Sequence, residues 1–167
     1  MAIRKILSHP DARLRKPTQT VERFDDELAQ LLNDMAETMY AAQGIGLAAP
    51  QIGVSLRVFV IDVASGGDQP SEFRVFVNPE LLERSGDLQH AEGCLSLPGV
   101  RETVQRCSHV KVRAQNERGE PFELEADGVL AHALQHEHDH IEGVLFVDHL
   151  SPLRKRVALR ALHKHGG

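Results

Sequence analysis

Residues 134–140 read "LQHEHDH", three histidines and two acidic side chains in seven positions. His136, Glu137 and His140 form an H-E-x-x-H pattern. On a helix, histidines at i and i+4 project from one face and can hold one metal ion between them. The glutamate after the first histidine is then placed to act on a water beside that ion. The surrounding residues, from Val129 to about Ile141, have the composition of a helix. His132 extends the stripe to i, i+4, i+8. Eight helical residues rise about 12 Å, too far for His132 and His140 to share an ion whose ligands lie about 2.1 Å away. The pair is therefore 132/136 or 136/140. Only the second has a glutamate after its first member, since Ala133 follows His132. His136 and His140 are assigned as ligands, and His138, on another face, as a surface residue.

A catalytic site of this kind needs a third protein ligand and an open position. Peptidases of the thermolysin type take a downstream glutamate from another helix, but the only glutamate after His140 is Glu142, on the same helix. The metzincin extension keeps its glycine here (Gly143) but has Phe146 where the third histidine belongs. The strongest remaining candidate lies upstream. Cys94 sits in "EGCLSLPG", read as a flexible turn, and a thiolate suits soft or borderline metals. His90, His109 and His149 are rivals for the same role.

The rest of the chain suggests one domain. With 167 residues, 41% hydrophobic, it can bury one sizeable core. Leu28, Leu31, Leu32, Met35 and Met39 predict a helix over about 25–42, with Asp25 or Asp26 as its cap. "LRVFVID" and "FRVFVNPEL" read as strands, the second ending at an Asn-Pro turn. "HVKVRAQN" and "PFELEAD" alternate polar and apolar residues and form a hairpin across "ERGE". "SPLRKRVALRALHKH" reads as a helix over about 152–165, capped by Ser151. "ASGGDQPSE" (64–72) is a surface loop. Strands in the middle and helices at the ends indicate an α+β fold in a single catalytic domain, 1–167. Two cysteines do not suggest a stapled secreted domain, and Cys107 reads as a small buried hydrophobe. A net charge of −5 gives no DNA-binding footprint. With no signal peptide and no membrane-spanning run, a cytoplasmic protein is expected.

Three separated stretches, "GIGLAAPQ" (44–51), "EGCLSLPG" (92–99) and "QHEHDH" (135–140), resemble the three signatures of the peptide deformylases, in matching order. The likeness runs from "ILSHPDARLR" to "LFVDHLSPLRKR", and the length is that of the bacterial type. The resemblance implies removal of the formyl group from the formylmethionine of newly made polypeptides. It implies antiparallel strands in small sheets around a central H-E-x-x-H helix, with helices at both ends. It implies Cys94, His136 and His140 as metal ligands and Glu137 as general acid/base. The Gln51 amide and the Leu95 backbone N–H would stabilise the oxyanion. The backbone at Ile45, Gly46 and Gly93 would hold the peptide, with Arg101 along its path. Ala133 and His132 would wall the methionine pocket, His132 at a position that is usually apolar. The metal implied is Fe(II), with Zn(II), Ni(II) or Co(II) possible in preparations. Arg154, Lys155, Arg156, Arg160 and Lys164 on the last helix suggest contact with the ribosome near the tunnel exit. Asp139 is expected to pair with Arg106. Two competing functions are a zinc peptidase cleaving internal bonds and a metal-storage protein.

Overall fold

α1 (Asp26–Ala41) forms where the apolar spacing predicts it. The Asp25 carboxylate accepts a hydrogen bond from the Leu28 N–H and so caps the first turn. Leu28, Leu31, Leu32, Met35 and Met39 are its buried face. These positions come from a computed structural model describing residues 2–68 and 70–164, with the side chains at 163 and 164 outside the description. Polar residues are also buried on α1. Arg4 forks onto Asp34 at 2.9 and 2.7 Å, fastening the N-terminal segment to the helix.

Behind α1 lies a five-stranded antiparallel sheet in the order β1-β2-β3-β6-β7. Its strands are β1 (Gly46–Ala48), β2 (Val58–Ile61), β3 (Arg74–Ser85), β6 (His109–Gln115) and β7 (Pro121–Asp127). β2 is buried at every position because both faces of the sheet are covered. Val58 and Val60 pack with the α1 side chains. Phe59 and Ile61, alternating with them, pack with Ala131, Leu134 and Ile141 of α2 (Gly128–Ile141). The β6–β7 hairpin has the register the alternation implies, from His109↔Asp127 to Gln115↔Pro121.

Two expectations need correction. The Asn-Pro pair does not end a strand. β3 runs through it to Ser85, with a register shift between Val77 and Glu80. Asn78 takes a positive φ of 52°. Its side chain accepts from Val21 N–H and donates to Val21 C=O and to Gln115 Oε1. The carboxamide thus replaces pairing that the bulge removes. The second correction concerns "EGCLSLPG". It is no flexible turn but the meeting point of β4 (Leu88–Cys94) and β5 (Leu97–Arg106), a separate two-stranded sheet. Only Leu95 and Ser96 lie between the strands.

Leu97, Val100 and Val104 of β5 pack with Phe146, Val147 and, on α3 (Pro152–Lys164), Ala158 and Leu162. Ser151 Oγ accepts from Arg154 N–H at 3.2 Å, the cap expected there, while residue 165 lies outside the described residues. The architecture is α+β, with small antiparallel sheets around α2 and helices toward both ends. Among the described residues, no helix is long and apolar enough to cross a membrane.

Candidate metal centre

His136 and His140 lie one turn apart on α2, and β4 ends beside them. Cys94 Sγ is 3.3 Å from His140 Nε2, and the two Nε2 atoms are 3.2 Å apart. Tetrahedral ligands at ordinary zinc-type bond lengths stand about 3.4–3.6 Å from one another. All three ligand atoms lie within 4.8 Å of each other, so the donor set fits one divalent ion of borderline softness. Among the described residues, this is the one group of three such side chains that converges in this way. The rival histidines are committed elsewhere. His109 faces Asp127 and Glu125, His149 contacts Asp139 at 2.8 Å, and His90 packs at a tilt against His132.

The electrostatics of the two imidazoles differ. Burial and the neighbouring His136 hold the His140 imidazole well below its usual pKa, so it stays neutral. Burial also pushes His136 down, but Cys94 and Glu92 outweigh it and draw His136 up. A proton held on His136 would have to leave before that imidazole binds an ion. Glu137 is buried, with Oε2 4.0 Å from His136 Nε2 and Oε1 without a hydrogen-bond partner among the described residues. Burial pushes its carboxyl up to about 7, with Glu92 adding to the shift and His136 opposing it. A group poised near neutrality can both take and return a proton.

The Gln51 amide is held at both ends. Oε1 accepts from Ala48 N–H at 2.9 Å, and Nε2 donates to Ser96 Oγ at 3.1 Å while lying 3.7 Å from Cys94 Sγ. A cleft of about 620 Å³ opens over this cluster. It brings together the other expected site residues, Ile45, Gly46, Gly93, Leu95, Arg101, His132 and Ala133, with Gln51, Cys94, His136 and Glu137. Gly46 is required by space, because a Cβ there would stand 2.5 Å from Glu137 Oε2. β1, which carries Gly46, is an edge strand that among the described residues pairs only with β2, and Ile45 and Gly46 line the cleft.

Sequence reasoning gave Glu92 no role, yet this carboxylate organises the site. It accepts from Arg106 Nε at 2.5 Å and Nη2 at 2.9 Å, and lies 2.7 Å from His136 Nδ1. That contact on Nδ1 leaves His136 Nε2 directed at His140, the nitrogen that would hold an ion. Burial alone would raise the Glu92 pKa, but Arg106, His132 and His136 reverse it and keep the group ionised. Arg106 also reaches Asp139 at 2.9 Å, the pair expected from sequence. One signal was available. On a strand, residues i and i+2 share a face, so Glu92 and Cys94 point the same way. His138, expected at the surface, is instead half-buried, with a side chain 14% exposed beside Glu142 and a pKa pushed down by burial.

The sequence model of the family described as "Polypeptide deformylase" matches residues 3–156. The peptide deformylase of Phenylobacterium zucineum (strain HLK1) is 51% identical over 166 residues, covering 99% of this chain and 98% of that protein. The peptide deformylase of Tolumonas auensis is 48% identical over 164 residues, covering 98% and 96%. A peptide deformylase crystal structure from Legionella pneumophila superposes with a TM-score of 0.92 at 52% identity, covering 98% of this chain and 95% of the other. One from Synechococcus elongatus, in complex with actinonin, gives 0.89 at 43%, covering 96% and 86%.

Proposed function

The chain belongs to the polypeptide deformylase family, a family of enzymes, and on that premise we propose that it hydrolyses the N-terminal formamide of formylmethionyl polypeptides and releases formate. In this reading Cys94, His136 and His140 hold one divalent ion, natively Fe(II), with Zn(II), Ni(II) or Co(II) acceptable to the same donors. When bound, the ion supplies Lewis acidity and makes water a nucleophile near neutral pH. Glu137 takes the proton of the attacking water and returns it to the leaving amine. The Gln51 amide and the Leu95 N–H donate to the oxygen that becomes negative; one such donor is worth about 10²–10³ in rate. The peptide lies as an added strand along Ile45 and Gly46 on one side and Gly93 on the other, with Arg101 along its path. Ala133 and His132 wall the first side chain. The formyl carbon bears only hydrogen, so a close-walled site excludes larger acyl groups.

The observation that carries this reading is the convergence of a strand-borne thiol with two helix-borne imidazoles beside a buried carboxyl whose Oε1 has no hydrogen-bond partner among the described residues. Three protein ligands leave an open position, unlike a closed structural or storage site. The test is Glu137→Ala, assayed with formyl-Met peptides and by metal analysis. Retained metal with kcat/KM reduced by about 10²–10⁴ is expected. Full activity in the variant would overturn the role of Glu137, and cleavage of unformylated peptides by the wild type would favour a peptidase.

The proposal extends to a cytoplasmic enzyme that meets its substrates at the ribosome. On α3, Arg154 is engaged by Glu102 and Thr103 C=O, and Lys155 by Asp148. Arg156 and Arg160 are exposed, and the Lys164 side chain lies outside the described residues. Truncation after Ser151 should weaken ribosome co-sedimentation at low salt; undiminished co-sedimentation would remove this contact.

A further inference from the structure

β4 and α2 meet as two ladders. Alternate residues of a strand share a face and recur about every 6.8 Å, so His90, Glu92 and Cys94 point one way. Along α2, His132, His136 and His140 recur about every 6 Å. The two repeats are near enough to stay in step over three rungs. His90 packs against His132 with ring centroids 4.9 Å apart, Glu92 meets His132 and His136, and Cys94 meets His140 at 3.3 Å. His132 therefore stands one turn behind the metal centre and is joined to it through Glu92.

An ionised carboxylate has about four acceptor positions, two on each oxygen. On Glu92, Arg106 Nη2 and His136 Nδ1 use Oε1, at 2.9 and 2.7 Å. Arg106 Nε uses Oε2 at 2.5 Å, and His132 Nε2 stands 2.8 Å from the same oxygen. That contact is bent, short of a straight hydrogen bond. At 2.8 Å a bare nitrogen lone pair would be pressed against an anionic oxygen, so His132 presents Nε2 with its proton. The two side chains are 7% and 4% exposed, so little water screens the contact. Nε2 is thus committed to Glu92, although the residue also lines the cleft.

We propose that His132 is a positioning residue for the metal centre: it fills the fourth acceptor position of Glu92 and so holds that carboxylate on His136 Nδ1. Without it, one buried lone pair of Glu92 loses its partner. A buried acceptor in that state is costly, and it recovers by drawing in water or turning toward another donor. Either shift loosens the grip on His136, whose orientation depends on this carboxylate. The inference rests on the metal-centre reading above, since it concerns how that centre is held and not what the cleft admits.

The experiment compares His132→Leu, His132→Gln and His132→Asn with the wild type, each loaded with Co(II). A glutamine amide nitrogen is as many bonds from Cα as imidazole Nε2, and an asparagine amide nitrogen only as many as Nδ1, so glutamine alone can take over the contact with Glu92. In His132→Leu and His132→Asn, the Co(II) dissociation constant, from competition with a chelator, should rise about tenfold, the low end for an outer partner of a ligand. The visible and thiolate charge-transfer bands of the Co(II) forms should shift with it. His132→Gln should return both readouts close to the wild type. Should His132→Leu fail to fold, the glutamine and asparagine variants decide between themselves. Equal dissociation constants and spectra in the three variants overturn the proposal whatever their Tm, because a packing defect does not separate glutamine from asparagine. A change confined to KM for formyl-Met peptides, with Co(II) affinity and spectrum unmoved, also overturns it and leaves His132 as a wall of the cleft. Failure of the wild type to bind Co(II) with a thiolate band would instead overturn the metal-centre reading, and this inference with it.

Discussion

Gly46 shows how closely the site is built at the scale of single residues. The backbone of β1 approaches α2 until only hydrogen fits between Gly46 Cα and the Glu137 carboxyl. Gly46→Ala should displace Glu137 and lower kcat by about 10²-fold, the usual effect of a 1 Å misplacement, while metal content stays at the wild-type level. Activity and metal analysis on one preparation check both halves of that expectation. At this scale the sequence was most informative where geometry is local. Helical spacing narrows the pair to 132/136 or 136/140, and Ala133 after His132 favours the second. Gly46 could be suspected only as a close-approach glycine, because the group that crowds it lies 91 positions away. His138 was misjudged because a helical wheel places it away from the metal but does not show that Glu142 and Arg57, themselves paired at 2.8 Å, lie nearby.

At the scale of elements, Glu92 and Arg106 hold the β4–β5 sheet against α2. Both side chains are 4% exposed, and Arg106 also takes Asp139. Glu92→Ala strands a buried guanidinium with half its partners, and loss of one member of a buried pair costs about 3–5 kcal/mol. Urea unfolding should show that loss. Because His136 loses the partner that orients it, metal affinity should also fall by about 10–100-fold. A Glu92→Ala/Arg106→Met double variant should recover much of the stability but not the metal affinity, which separates packing from ligand orientation. α1, α2, α3 and the β6–β7 hairpin were all legible because each repeats a helix or strand period over a buried stripe. The β4–β5 pair was not. β4 buries only Glu92 fully, so it has no apolar alternation to read, and Pro98 and Gly99 interrupt β5 near its start. Only Cys94 stood out, first by elimination among the possible third ligands and then through a family likeness.

Across the whole molecule, the site joins parts of the chain that pack in different cores. Cys94 on β4 and His136 and His140 on α2 would hold an ion between them, and a ligand that binds only the folded state stabilises it. At a free metal concentration a hundred times Kd, the gain is about 2.7 kcal/mol. Chelation should then lower Tm by about 5–10 °C for a chain of this size, and re-adding metal should restore it. A second tie lies at Asp148, which accepts from Leu145 N–H, Lys155 and Arg15 and so links α3 to the N-terminal segment. Burial raises its pKa, but Arg15, Lys155 and the Leu145 N–H outweigh it and leave it well below the unfolded value of 3.8. The unfolded chain therefore binds a proton first as pH falls, and this contribution is complete above about 3.8 and fades in more acid solution. Asp148→Asn should cost about 1–3 kcal/mol at pH 7, with the gap to wild type unchanged at pH 5 and narrowing below pH 4; a constant gap down to pH 3 would exclude the linkage. The two-residue link between β4 and β5 also limits how the protein can change in length. Cys94 pairs with Leu97 across this link, out of step with Gly93↔Arg101 behind it, so one residue inserted at 95–96 would break that local pairing, and a one-step shift turns a side chain to the opposite face of its sheet. Cys94 or its β5 partners would then turn away from α2. The loop at 66–68, exposed at each residue, carries no such constraint. Homologues of different length should therefore accumulate insertions there and keep the short link after the cysteine at a fixed count.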